Sequence, residues 1–233
     1  MRFERQMPIF GEEGQQRIMS AVVGIVGCGG LGVNVITQLV SAGVSHFILC
    51  DHQSPELSNL NRQFIYSAAD YRPKSVISAE WILALNPSAE VQSNAEPLTD
   101  ANWDLFSGCD ILVDCLDSFE SRMVLSDMSV KMGIPLVHGG VNGLDGQIAV
   151  CIPGRTKSLR EMIGTMSDTE GATPSVGAAV SVIASMEALE VLKIISGMGT
   201  DNAGRLITLD MRGWKTDSAE LRSGYGGSWL HDR

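Results

Sequence analysis

The sequence predicts an α/β fold, a Rossmann-like and mostly parallel doubly wound sheet with helices on both faces. Three observations carry the expectation. Short, continuous apolar runs alternate with stretches of helical periodicity, the order that builds parallel strands joined by crossover helices. A glycine-rich turn, Gly27-Cys28-Gly29-Gly30-Leu31-Gly32, separates the first apolar run from the first strongly helical segment. An acid, Asp51, closes the second apolar run, about 20 residues beyond the glycines, as in folds that bind a nucleotide at the first strand–helix turn.

Each element follows in order. Residues 1–20 read as an acidic N-terminal helical arm that ends in GEEGQQRIMS. AVVGIV, 21–26, is apolar throughout, as a strand buried on both faces must be. Helical periodicity covers 33–41, and HFILCD, 46–51, is the second strand. A helix over 75–85 is closed by Asn86-Pro87, because proline disfavours helical geometry in the residue before it. VQSNA, 91–95, is a weak strand and DILVD, 110–114, a strong one; a helix follows over 122–132. PLVHGG, 135–140, and QIAVCI, 147–152, are strands around a glycine-rich turn. Residues 153–175 read as a polar crossing loop, 176–196 as a long helix and RLITLD, 205–210, as a late strand. The tail, 214–233, shows no period and reads as loose. With neither an internal repeat nor a dividing linker, residues 1–233 are expected to form a single domain.

Composition narrows the function classes. With 233 residues, 44% hydrophobic and 19% charged, the chain can bury a core. A net charge of -10 speaks against nucleic acid and anionic membranes as partners, since both are bound through excess Lys and Arg. The start is charged from Arg2, and no apolar run approaches the roughly 18 residues of a membrane span. Five cysteines, at 28, 50, 109, 115 and 151, include no CxxC pair. That pattern implies reduced thiols, a cytoplasmic location and no zinc site.

The glycines of GCGGLG allow a tight turn and bring backbone N–H groups close to phosphate at a helix N-terminus. Gly27, Gly29, Gly30 and Gly32 are therefore nucleotide-binding candidates, with Asp51 placed to bond a ribose hydroxyl. This much also suits NAD. Ser58-Asn59-Leu60-Asn61-Arg62-Gln63 and Arg72-Pro73-Lys74 favour a triphosphate instead. A dehydrogenase has no need of such donors beyond its ribose acid, whereas the β and γ phosphates need cations to compensate their charge. Asn59, Arg62, Gln63 and Lys74 thus join the ATP set. Asp117, in Asp114-Cys115-Leu116-Asp117-Ser118, lies past the end of a strand. There it can ligate Mg²⁺ with phosphates completing the shell, or act as a helix N-cap. Asp114 and His138 read as structural, hydrogen-bonded groups.

RFERQ, GEEGQQRI, GCGGLG, SNLNRQ, RPK, LNP, DCLDS, PLVHGG, GLDGQI and SMEALEVLKI together resemble the ThiF/MoeB/HesA family, relatives of ubiquitin-activating enzymes, over residues 2 to about 213. The resemblance implies a homodimer that adenylates a carboxylate with MgATP, usually the C-terminal glycine of a ubiquitin-like sulfur carrier. It further implies that Asp51 holds the ribose, that Asn59, Arg62 and Lys74 hold phosphates, that Asp117 takes Mg²⁺ and that Arg5 reaches the partner's ATP. The sequence departs from the family pattern in three places. The CxxC pairs of a Cys₄ zinc site are absent, no cysteine lies beyond Cys151 to attack the adenylate, and the family's second acid after Asp51 is replaced within His52-Gln53. These departures favour an adenylate passed to an external nucleophile. A family branch that activates a small heterocyclic acid, the guanylylpyridinol precursor of the [Fe]-hydrogenase cofactor, fits them. Adenylation of a ubiquitin-like carrier is the alternative substrate reading, and a non-catalytic nucleotide-binding scaffold is a second alternative.

Overall fold

The computed structural model describes residues 2–164 and 173–220. Eight strands form one sheet in the order β3-β2-β1-β4-β5-β6-β7-β8. β1 (Val22–Val26), β2 (His46–Cys50), β3 (Glu90–Asn94), β4 (Ile111–Asp114) and β5 (Leu136–Asn142) pair in parallel. β6 (Asp145–Cys151), β7 (Arg205–Asp210) and β8 (Lys215–Glu220) continue antiparallel. The strand order reverses beside β1, and there the C-terminal ends of β1 and β4 leave a crevice.

Alternation within the central strands divides the core between two faces. Val23, Ile25, Ile111 and Val113 pack on one side with α2 (Gly30–Ala42) and α6 (Gly177–Ser196). Val26 and Leu112 face the other side, against α4 (Phe119–Met132) and α5 (Leu159–Ile163). Because these strands are covered twice, they are apolar throughout, save for Asp114 at the end of β4. α3 (Lys74–Leu85) covers the outer strands on the first side, where Ile82 joins the core.

The N-terminal arm contains α1 (Met7–Ser20), broken at Gly11, where φ is 69° and ψ 174°. Its leading residues are tied to its own subunit: Arg2 donates to the Val40 carbonyl at 3.0 Å and Gln6 to that of Ala42 at 2.6 Å. Two expectations about loops need correction. Within the crossing loop, Ser158 and Glu161 form a reciprocal capping box that starts α5. Within the tail, residues 215–220 form β8, paired along its length with β7. β8 is polar and exposed, so it has no alternation by which to be recognised, and backbone pairing alone selects it. The rest of that tail, 221–233, and residues 165–172 of the loop lie outside the described residues. No helix among the described residues is long and apolar enough to cross a membrane.

Gly24 marks the tightest packing in the central strand. A Cβ there would come within 2.8 Å of Leu112 Cδ2 and 2.9 Å of both Cys109 Sγ and Phe106 Cδ1. Gly24→Ala is therefore expected to lower unfolding free energy by about 1–3 kcal/mol through overpacking, read from a urea titration with an unchanged slope.

Candidate active site

A cleft of about 540 Å³ opens at the C-terminal ends of the parallel strands. Its floor is the β1–α2 turn. Gly27 takes a left-handed φ of 92°, and a Cβ on Gly32 would collide with the Gly27 carbonyl oxygen, so neither position tolerates a side chain. Gly29 is the N-cap of α2 and supplies no capping side chain, which leaves first-turn N–H groups free for an anion.

Asp51 holds this turn. Its carboxylate accepts N–H bonds from Cys28 at 2.7 Å and Gln53 at 2.8 Å. Burial pushes the carboxyl up from its ordinary value, while those two bonds and nearby Lys74 pull it back. Tyr66 braces the turn from behind, donating to the Cys28 carbonyl at 2.6 Å. Sequence reasoning missed this contact because it depends on a fold-back of the 52–73 segment.

The basic residues gather along one wall of the cleft. Asn59 ends a short 3₁₀ turn (Leu57–Asn59), where its Oδ1 accepts the Glu56 N–H at 3.1 Å. Arg62 lays its stem against Gly30 and donates Nη1 to the Ser58 carbonyl at 3.0 Å and to Asn61 Oδ1 at 2.8 Å. Gln63 is buried, with its side-chain nitrogen close to Gly29. Lys74, only 3% exposed, opens α3 and donates Nζ to Gln53 Oε1 at 3.1 Å. Neither Arg62 nor Lys74 has a carboxylate within ion-pair distance among the described residues, so both charges stay available to a ligand.

On the opposite wall Asp117 is exposed, and its carboxylate has no hydrogen-bond or ion-pair partner among the described residues. The N-cap of α4 is Ser118, which accepts the Ser121 N–H, and the alternative capping role for Asp117 is thereby corrected. The preceding peptide is clamped at both ends. Asp114 Oδ1 accepts the Leu116 N–H at 3.1 Å, and the Arg122 guanidinium donates to the Leu116 carbonyl at 3.2 Å. Asp114 in turn pairs with His138 Nδ1 at 2.7 Å, whose other nitrogen meets Gln147 Nε2 at 3.0 Å. Burial pushes the imidazole down, against the pull of Asp114, so a neutral ring donates from Nδ1 and accepts at Nε2. Arg122 went unremarked in the sequence because one arginine on a helix carries no signal of its contacts.

Arg5, expected to reach the partner's ATP, is exposed and does not line the cleft of its own chain. Among the described residues, no group of three or more His, Cys, Asp or Glu could hold a metal. Mg²⁺ at Asp117 would therefore need phosphate oxygens to complete its shell. All five thiols are buried. Burial pushes Cys28 and Cys115 well up, and Cys50, Cys109 and Cys151 up to about 12, away from the reactive thiolate. Ala179 and Ala184, among the small residues of α6, are buried within the subunit, and Ser181 bonds Asn34 of α2 at 2.9 Å. These three serve close packing inside one chain.

The sequence profile described as "ThiF family" matches residues 3–224. The chain belongs to the ThiF family. It is 35% identical over 223 residues to the sulfur carrier protein adenylyltransferase of Thermus thermophilus, covering 90% of this chain and 82% of that one. The sulfur carrier protein ThiS adenylyltransferase of Escherichia coli is 31% identical, with 97% and 93% covered. Adenylyltransferase and sulfurtransferase MOCS3 of Bos taurus is 36% identical, but the chain spans only 48% of its length. Among solved structures, E. coli MccB with MccA-N7isoAsn shares the fold at a TM-score of 0.84 and 21% identity, covering 96% of this chain and 73% of that one. E. coli MccB with ATP gives 0.82 at 20% identity, covering 94% and 70%.

Behind the clamp lies Glu187, fully buried, with no hydrogen-bond partner among the described residues for either carboxyl oxygen. Burial first, and then the nearby Asp114 charge, push its carboxyl well above the ordinary value of 4.5, with Arg122 opposing. The folded state thus keeps a proton that the unfolded chain releases. Stability from this group is complete below about pH 4.5 and is lost as pH rises toward the raised value. Glu187→Gln removes the titration, so wild type should lose melting temperature relative to the variant as pH rises above about 4.5. Parallel melting curves for the two proteins would refute a raised Glu187.

Proposed function

We propose that this member of the ThiF family binds ATP in the cleft and adenylates a carboxylate, releasing pyrophosphate. The observation that carries the reading is two cations without an ion pair, Arg62 and Lys74, lining one cleft with a glycine turn whose N–H groups are free and with an unpartnered Asp117. The cations favour a polyphosphate. A carboxylate oxygen of the acid bonds to the α-phosphorus while the bond from that phosphorus to the bridging oxygen breaks. The electron pair leaves with pyrophosphate, and no proton has to move. Arg62 and Lys74 stabilise the charge gathering on the leaving group, and the turn's N–H groups orient the phosphates. Asp51, besides bracing the turn, is placed for a ribose hydroxyl. Mg²⁺ held by Asp117 would neutralise phosphate charge when bound.

Relatives named for sulfur carrier proteins favour the C-terminal carboxylate of such a carrier as the acid. One observation favours a small heterocyclic acid instead: residues 152–233 contain no cysteine to take the acyl group, and the five present are buried. Either way the adenylate passes to an external nucleophile. Retention of the charged cleft argues against a non-catalytic scaffold.

Pyrophosphate exchange into ATP, run with a carrier protein and with small acids in parallel, tests the reading. Arg62→Ala, Lys74→Ala and Asp117→Ala are each expected to lower kcat/KM by about 100-fold or more, roughly 2.7 kcal/mol. Folded variants exchanging within about threefold of wild type would place the chemistry elsewhere. The same assay addresses the homodimer. Because Arg5 stands away from its own cleft, mixed Arg5→Ala and Asp117→Ala subunits should regain activity through one intact composite site. If exchange of subunits is demonstrated and no activity returns, Arg5 does not act across the dimer.

A further inference from the structure

Resting on the reading of Asp117 as the Mg²⁺ ligand, we infer that His138 is a positioning residue for Asp117, which it serves by holding Asp114 away from Arg122 so that both grip the Leu116 peptide. Asp114 and His138 are register partners on the parallel strands β4 and β5, and both are fully buried. Asp114 Oδ2 accepts the His138 Nδ1 proton at 2.7 Å, and the ring's Nε2 meets Gln147 Nε2 at 3.0 Å. Arg122, only 8% exposed, stands 3.9 Å from the same Oδ2. A carboxylate and a guanidinium buried together ordinarily close into a bidentate pair at about 2.8 Å. Here they stay apart. Asp114 gives its other oxygen to the Leu116 N–H at 3.1 Å, while Arg122 donates Nε at 3.2 Å, and Nη2 as well, to the Leu116 carbonyl.

The two grips act on the residue that follows. The N–H and carbonyl of Leu116 belong to the peptide units on either side of its Cα, so holding both fixes the backbone that enters Asp117. The backbone that leaves Asp117 is fixed by Ser118, whose side chain caps α4 by accepting the Ser121 N–H at 3.3 Å. Only side-chain torsions are then left for Asp117 to adjust when it meets a metal. Were Asp114 and Arg122 to close on each other, both Leu116 groups would lose these partners, and the segment would have to be ordered at the moment of binding. The role asks for a hydrogen-bond donor at the Nδ1 end of the ring, which holds Oδ2 in place of the arginine. Bulk alone does not supply it.

Titration calorimetry with ATP, once in Mg²⁺ and once in EDTA, reads the gain in affinity that the metal supplies. Asp117→Ala should abolish that gain. His138→Leu is close to the ring in bulk but has no donor; it should cut the gain by about tenfold and change affinity in EDTA less than about threefold. His138→Asn is smaller, yet it places an amide N–H where Nδ1 stood and should keep the gain within about threefold of wild type. A residue that only filled the core would tolerate Leu better than Asn and would move affinity in EDTA as far as in Mg²⁺. Either result would overturn the inference. So would a wild-type gain in His138→Leu while Asp117→Ala has none, with the reading of the cleft left intact. A gain that survives Asp117→Ala would instead remove Mg²⁺ from Asp117, and this inference with it. Should His138→Leu fail to fold, His138→Gln takes its place, with an amide at the Nε2 end, no donor at the Nδ1 end and the same loss expected. In the wild-type protein, heteronuclear NMR of the imidazole nitrogens should find the proton on Nδ1. A ring protonated on Nε2 alone would overturn the donor role.

Discussion

The amide of Cys28 donates to Asp51 across 2.7 Å, and the Gly27 amide donates to the Cys50 carbonyl beside it. These bonds close the end of β1 onto the end of β2 just where the chain must reverse into α2. The reversal is steric in origin, since the Gly27 carbonyl stands against Gly32 with no room for a methyl group. Helix and strand can meet this closely only because both residues lack Cβ. Free N–H groups at the α2 start, the approach of Arg62 over Gly30 and the bracing by Tyr66 all follow from the same turn. Loosening it would disturb the phosphate floor and the strand order at once.

Two kinds of polar group meet around that turn. The front wall carries cations that form no ion pair among the described residues, which is costly in an empty protein and favourable once a polyanion arrives. The back carries Asp114, His138, Arg122 and Glu187, a buried set in which every member except Glu187 has a hydrogen-bond partner. The back set fixes the Leu116 peptide, from which Asp117 extends. Rigidity behind and unpaired charge in front is the arrangement preorganised electrostatics requires.

Much of this was legible in sequence, for a physical reason. Strands covered on both faces must be apolar throughout, so β1, β2 and β4 stand out, and a glycine turn followed by an acid has few other uses. Asn59, Arg62, Lys74 and Asp117 stood out in sequence because donors and charges clustered in short motifs suit a polyphosphate, and all four line the cleft. β8 was not, since KTDSAE has no buried face and depends wholly on the neighbouring ladder of β7. The α5 start did have a signal, Ser158 with Glu161 three residues on, overlooked amid a polar stretch. Arg122, Gln53 and Glu187 were illegible as site residues because their roles depend on contacts between distant elements.

The five buried cysteines can also be seen from the standpoint of time. A thiol that is out of reach in the native fold reacts with a labelling reagent only when its surroundings open, so its labelling rate counts openings. Cys28 and Cys115 lie in the layer under the glycine turn, and Cys109 and Cys151 on the opposite face of the sheet. The chain therefore carries native clocks in both halves of its core. They can show whether the two layers breathe together or whether the face behind the cleft opens on its own.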